Sequence, residues 1–216
     1  MLRLAASFRI EAMNTEKSST LKKRGRPKSF DREAVLEQAM RLFWLHGYET
    51  TSMAELLEAM QITTPSVYST FGDKERLFLE SVDRYIKGPG HYQVEACKEV
   101  TAKAAIERIL REAAERYVSP ENPPGCMLVV STVNSCPSTS PAQKAVKAAR
   151  YETECALRGR IELGMVDGDV PKTADPAALA SFFSTLLNGM SIKAKEGASK
   201  ETMLALVDNA MRVWPE

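Results

Sequence analysis

Val67 and Phe71, four apart, would give a helix one apolar face, and Thr64, Ser66, Tyr68 and Thr70 are the polar residues read onto its other faces. Short hydroxyls and one phenol are donors and acceptors of the size that reaches phosphate oxygens and base edges. A helix bearing them is narrow enough to enter a major groove. Thr63 offers an N-cap for it, and Pro65 fits its first turn, where a missing N–H has no intrahelical partner to lose. A second helix must hold it in place. Met53, Leu56, Leu57 and Met60 recur at helical spacing just upstream, with Thr51 or Ser52 as cap and Glu55 at capping-box distance from Ser52. Read from pattern alone, the pair is either a DNA reader or an ordinary small helical hairpin with a polar outer face.

The run from Gly47 to Leu77 resembles the DNA-binding motif of the tetracycline-repressor-like (TetR/AcrR) transcriptional regulators. The resemblance rests on Gly47-Tyr48, on Thr50-Thr51 before the first helix of the pair, on the Tyr68-x-x-Phe71 step, and on Lys74-Glu75-x-Leu77. It implies that Thr51 and Lys74 bind backbone phosphates and that Tyr68 contacts DNA from the recognition helix, with Thr64, Pro65, Ser66 and Thr70 facing the bases. Thr50 and Thr63 flank these positions and join the expected DNA-binding set. One position departs from the pattern: the turn residue that is commonly Gly in this family is Gln61 here. A left-handed backbone at that point costs a residue with a Cβ about 1 kcal/mol.

Of 216 residues, 44% are hydrophobic and 26% charged, the composition of an ordinary globular chain with a net charge of +1. The charge is unevenly spread. Residues 1–30 hold eight basic side chains against two acidic ones, a net +6, so the remainder carries −5. A basic arm on a mildly acidic body fits local phosphate binding without indiscriminate adhesion to DNA. Within the arm, Arg24-Gly25-Arg26-Pro27 resembles an AT-hook core: Gly permits close approach to the minor-groove floor while Arg24 and Arg26 enter a narrow, negative groove. The competing reading is a solvated basic linker.

Cys97, Cys126, Cys136 and Cys155 form no C-x-x-C pair, and the two histidines, His46 and His91, stand apart. That spacing argues against a structural zinc site, and no cofactor is called for. Buried reduced thiols are the expectation, with a redox-sensing cysteine pair as the alternative. No convergent acid, base, nucleophile or metal set appears, so the chain is expected not to be an enzyme; an all-helical enzyme is the remote rival. No apolar run approaches the ~20 residues that span a bilayer. The first ten residues lack the apolar centre of a signal peptide, and Met13 is an alternative start. A cytoplasmic location is expected.

The fold class expected is all-α: a basic flexible arm (1–29), a three-helix helix-turn-helix domain joined by a linking helix (30–87), and a larger helical ligand-binding and dimerisation domain (88–216). Asp31 caps a first helix running to about His46, and another starts near Lys74 and stops at Gly88-Pro89-Gly90. Helices over roughly 91–118, 124–136, 140–164, 175–196 and 199–214 follow, broken by Pro- and Gly-rich stretches.

In the last two helices Leu179, Phe182, Phe183, Leu186, Leu187 and Met190 lie on one stripe, and Met203, Leu206, Val207, Ala210 and Trp214 on another. The resemblance implies that these helices pair with their copies in a four-helix bundle, giving a homodimer on a palindromic double-stranded DNA operator. Pro123-Pro124-Gly125-Cys126-Met127-Leu128-Val129-Val130 resembles a Gly-Cys-apolar helix in one branch of the family, in the domain where an inducer would bind. Tyr117, Met127, Val130, Asn134, Phe182, Phe183 and Leu186 have the mixed composition of a small-molecule pocket, and equally that of a helical core. The function expected is a ligand-responsive regulator, a repressor in the first instance, with thiol-based redox sensing as the alternative trigger.

Overall fold

The computed structural model describes residues 30–131 and 140–216, and every regular element within them is helical. Asp31 opens α1 (Arg32–His46) by accepting from the Glu33 N–H at 2.9 Å, as its place before an apolar-periodic run requires. Two short helices follow, α2 (Met53–Met60) and α3 (Thr64–Phe71), and then α4 (Lys74–Lys87). Helices this short do not persist alone in water, so α2 and α3 depend on the apolar contacts they make. Leu56, Met60, Val67 and Phe71 supply these, all buried against α1 and α4.

The α1–α4 seam is aromatic inside and ionic outside. Phe43 meets Phe78 edge-on at 5.1 Å, a geometry worth about 0.5–1.5 kcal/mol beyond the area buried. At the rim Arg84 reaches Glu33 and Glu37, and Arg32 reaches Glu80. These groups are part-exposed, so they fix the register of the two helices more than they stabilise them.

Beyond α4 the order is α5 (Tyr92–Ala96), α6 (Ala102–Arg116), α7 (Met127–Val130), α8 (Pro141–Asp167), α9 (Pro176–Lys195) and α10 (Lys200–Ala210), closed by a 3-10 turn at Met211–Val213. The single helix expected over 91–118 is therefore two. Tertiary partners take the backbone groups that would have continued it: Arg160 donates to the carbonyls of Glu99 and Val100 at 3.0 and 3.1 Å, and Asp169 accepts from the Ala102 N–H at 2.5 Å. Of the residues expected to form a helix at 124–136, Met127–Val130 form α7, and 132–136 lie outside the described residues.

The two C-terminal stripes part company. On α9, Phe183, Leu187 and Met190 are buried whereas Phe182 and Ile192 stay 43% and 41% exposed. On α10, Met203, Val207 and Ala210 pack inward with Trp214, and α10 lies along α6 of its own chain. Its outward positions are mostly polar, among them Glu201, Thr202, Asp208 and Asn209. Of the α10 stripe expected to face a second copy, Met203, Val207, Ala210 and Trp214 are thus taken up within the chain, and Leu206 stays half-buried. The helix packed beside α9 is α8, and there Ala148, Tyr151, Cys155, Gly159 and Val166 follow one line and are all exposed. Among the described residues, α8 and α9 thus each carry exposed large apolar side chains, Tyr151 and Val166 on α8 and Phe182 and Ile192 on α9.

Candidate nucleic-acid interface

The turn between α2 and α3 sets the presentation of α3. Ser52 and Glu55 form the full capping box, the Ser52 hydroxyl accepting from the Glu55 N–H at 3.2 Å and the Glu55 carboxylate accepting from the Ser52 N–H at 2.7 Å. The Glu55 carboxyl is accordingly held below the usual carboxylate range, chiefly by the Ser52 N–H. Gln61 ends α2 with φ 52° and ψ 38°, a left-handed residue, so the turn does take the conformation that favours glycine. Thr63 occupies the N-cap of α3, yet its hydroxyl pairs with Ser66 Oγ at 3.0 Å and caps no backbone N–H.

Along α3 the side chains divide into a buried and an exposed set. Val67 and Phe71 are buried, while Thr63, Thr64, Pro65 and Tyr68 are exposed, Tyr68 by 52%. Ser66 is half-buried. Thr70 departs from its expected role: its hydroxyl oxygen is enclosed without a hydrogen-bond partner, so it does not face outward with the others. Thr51 departs further. It is fully buried, and its hydroxyl donates to the Gly47 carbonyl at 2.6 Å, which makes it a brace for the loop and leaves no atom free to meet a phosphate. Thr50 is exposed, its hydroxyl turned to the His46 carbonyl.

Lys74 stands at the first turn of α4, with its ammonium 4.6 Å from the centre of the Tyr48 ring. Partial burial lowers its pKa, partly opposed by Glu49 and Glu55. No carboxylate lies within ion-pair distance of it among the described residues, so the charge is oriented by the ring and left unneutralised. Arg24 and Arg26 lie outside the described residues.

The reader helices are tied to the rest of the chain at one loop. Trp44 donates from its ring N–H to the Gly125 carbonyl at 3.0 Å, and Tyr85 donates to Cys126 Sγ at 3.3 Å. Arg41 reaches the Glu121 carbonyl, and the Tyr48 N–H reaches the Ser131 carbonyl. From the other side, the Cys126 N–H donates to Ser191 Oγ on α9 at 2.7 Å, and the Gly125 N–H donates to the Tyr117 carbonyl at 2.9 Å. Gly125 and Cys126 therefore join α1 and α4 to α6 and α9.

Around this loop is a buried polar cluster that periodicity did not single out. Burial pushes the phenols of Tyr85 and Tyr117 well up, that of Tyr92 to about 12, and the Cys126 thiol up as well. All four groups are neutral at physiological pH. Cys97 is also raised by burial, against the pull of Arg160. Neither thiol has the thiolate character that peroxide sensing needs, which weighs against the redox alternative at these two positions. Cys155 is exposed, and Cys136 lies outside the described residues.

The residues expected to line an effector pocket are only partly brought together. Tyr117, Met127, Val130 and Phe183 are buried and Leu186 is half-buried, but Phe182 points outward. Adjacent residues on a helix diverge by about 100°, so Phe182 and Phe183 cannot share one lining. Asn134 lies outside the described residues.

The α2–α3 pair, exposing hydroxyls and a phenol beside Lys74 of α4, has the architecture of a helix-turn-helix. The family model described as "Bacterial regulatory proteins, tetR family" matches residues 35–81. The HTH-type transcriptional repressor ComR of Escherichia coli strain K12 is 35% identical over 207 residues, covering 94% of this chain and 99% of that protein. The repressor BdcR of the same organism is 28% identical over 196 residues, covering 89% and 92%. Among solved structures, a cysteine-substituted form of the TetR-family regulator CifR, complexed with 26-bp double-strand operator DNA, has a TM-score of 0.85 at 38% identity, covering 88% of this chain and all of that one. The chain belongs to the tetR family of bacterial regulatory proteins and is a DNA-binding transcriptional regulator.

Proposed function

We propose that the chain is a cytoplasmic, effector-responsive repressor that binds a palindromic operator as a homodimer, with residues 30–87 as reader head, 88–216 as effector and pairing body, and 1–29 as a basic arm. The observation that carries this reading is the outward row Thr63, Thr64, Pro65 and Tyr68 beside the unneutralised Lys74. In it, Thr64, Pro65, Ser66 and Tyr68 meet base edges, Lys74 meets phosphate, and Thr51 serves only to brace the loop. Arg24 and Arg26 reach the flanking minor groove.

One recognition helix reads few base pairs, and pairing doubles the contacts over two half-sites. The exposed apolar lines on α8 and α9 supply the pairing surface, in place of α10. An effector held among Tyr117, Met127, Val130 and Phe183 acts through the loop that joins body to head. Two recognition helices enter successive major grooves only when set about one DNA turn apart, so an effector that favours another spacing weakens operator binding in proportion to its preference for that state. Among the described residues no helix is long and apolar enough to cross a membrane.

Sequencing genomic fragments retained by the purified full-length protein tests the reading. Recovered fragments should share a two-fold symmetric motif with half-sites about one turn apart. Recovery of no common motif, or of an asymmetric one bound by a single copy, would refute it.

A further inference from the structure

Gln61 is the one residue other than glycine with positive φ among the described residues; the remaining five such positions are Gly47, Gly72, Gly125, Gly168 and Gly197. Its backbone is accounted for, since its N–H donates to the Glu58 carbonyl at 3.2 Å and closes α2. Its side chain is not. It is exposed, and it makes no hydrogen bond among the described residues. Glycine would adopt this backbone without strain, so nothing inside the fold rewards the long amide. A strained residue whose side chain has no internal role points to an external one.

The position says what that partner is. Gln61 lies two residues, at most about 7 Å of chain, before Thr63. Thr63, Thr64 and Pro65 are exposed at the start of α3, the end of a recognition helix that meets base edges. A primary amide pairs a donor with an acceptor at the spacing of adenine N6 and N7 in the major groove.

Resting on the reading of α3 as recognition helix, we propose that Gln61 is a specificity-determining residue that reads one adenine at the edge of each half-site. The test compares full-length wild-type protein with Gln61→Gly and Gln61→Ala on duplexes selected from a randomised pool. Wild type should favour one A·T pair per half-site by about tenfold to a hundredfold over other pairs. Both variants should lose that preference and keep the rest of the motif, and Gln61→Gly should melt about 2–4 °C higher through relief of the strained backbone. A uniform loss of affinity over all duplexes would make Gln61 a phosphate contact and overturn the proposal. An unchanged preference profile would overturn it too. If wild type itself selects no motif, the reader falls and this inference with it; a motif shared by wild type and variants refutes the Gln61 assignment alone.

Discussion

Gly125 is where the joint between head and body is most sharply testable. It has φ +80°, and a Cβ added there would sit 2.6 Å from the Ser191 carbonyl oxygen, 2.7 Å from Ser191 Oγ and 3.2 Å from Val130 Cγ1. The nearest of these atoms is α9 backbone, which cannot swing aside as a flexible side chain would. Gly168 provides the control: its φ is +85°, yet a Cβ there meets nothing within 4 Å. Alanine at Gly168 thus incurs only the left-handed penalty, about 1 kcal/mol. Alanine at Gly125 adds overpacking of ~1–3 kcal/mol, for a total of ~2–4 kcal/mol. In a domain of this size that lowers the melting midpoint by ~4–16 °C, against ~2–4 °C for the control.

Function should separate the two variants as well. Relieving the clash requires the 125–126 loop to move away from Ser191, and that loop receives the Trp44 ring N–H and the Tyr85 hydroxyl. Gly125→Ala should therefore weaken operator binding at temperatures where it remains folded, while Gly168→Ala binds as wild type. Thermal melts followed by circular dichroism, with operator titrations at 15 °C, measure both effects. Equal melting midpoints for the two variants would show that the loop yields freely and would refute the rigid-joint argument.

Lys74→Ala should weaken binding to all duplexes alike and reduce the slope of log affinity against log salt by about 0.9 per head, hence about 1.8 for a dimer; loss confined to one sequence would contradict a phosphate contact. Phe182→Glu or Ile192→Glu, on the outer face of α9, should leave a folded monomer by ultracentrifugation, whereas Val207→Glu, facing inward on α10, should unfold the chain. A folded monomer from Val207→Glu would return the pairing surface to α10. The buried phenols predict alkaline unfolding. Tyr92 holds its proton to about pH 12 when folded and to about 10 when unfolded, so stability is full below pH 10 and falls as pH rises from 10 to 12, by about 3 kcal/mol at the upper end. A pH titration of phenolate absorbance that shows no cooperative step in this window would refute it.

What the sequence disclosed follows the reach of each signal. Asp31, Ser52 with Glu55, and Pro65 act within one helical turn, and these caps and first turns were legible because the cap partners lie only two or three residues away. Thr51 was misread for the same reason. A threonine before a helix has the same local appearance whether its hydroxyl meets solvent or turns inward to the Gly47 carbonyl. The break at 97–101 depends on Arg160 and Asp169, some sixty residues away, and has no local mark beyond Thr101 as a cap.

The C-terminal stripes show the limit most plainly. Periodicity reports that α9 and α10 each have an apolar side, and it says nothing about which neighbour that side meets. On α10 the neighbour is α6 of the same chain, and Met203, Val207 and Ala210 are buried within the chain while Leu206 stays half-buried. On α8 the informative residues are Ala148, Tyr151, Cys155, Gly159 and Val166, exposed on one side of the helix with the ion-paired Glu162 among them, too small and mixed to register as a core stripe. Small residues let two helices approach closely, so a surface suited to pairing looks less hydrophobic in sequence than a core stripe that pairs with nothing outside its own chain. The better predictor of a docking face is therefore apolar or small residues left exposed after the core has been assigned, and that subtraction requires the fold.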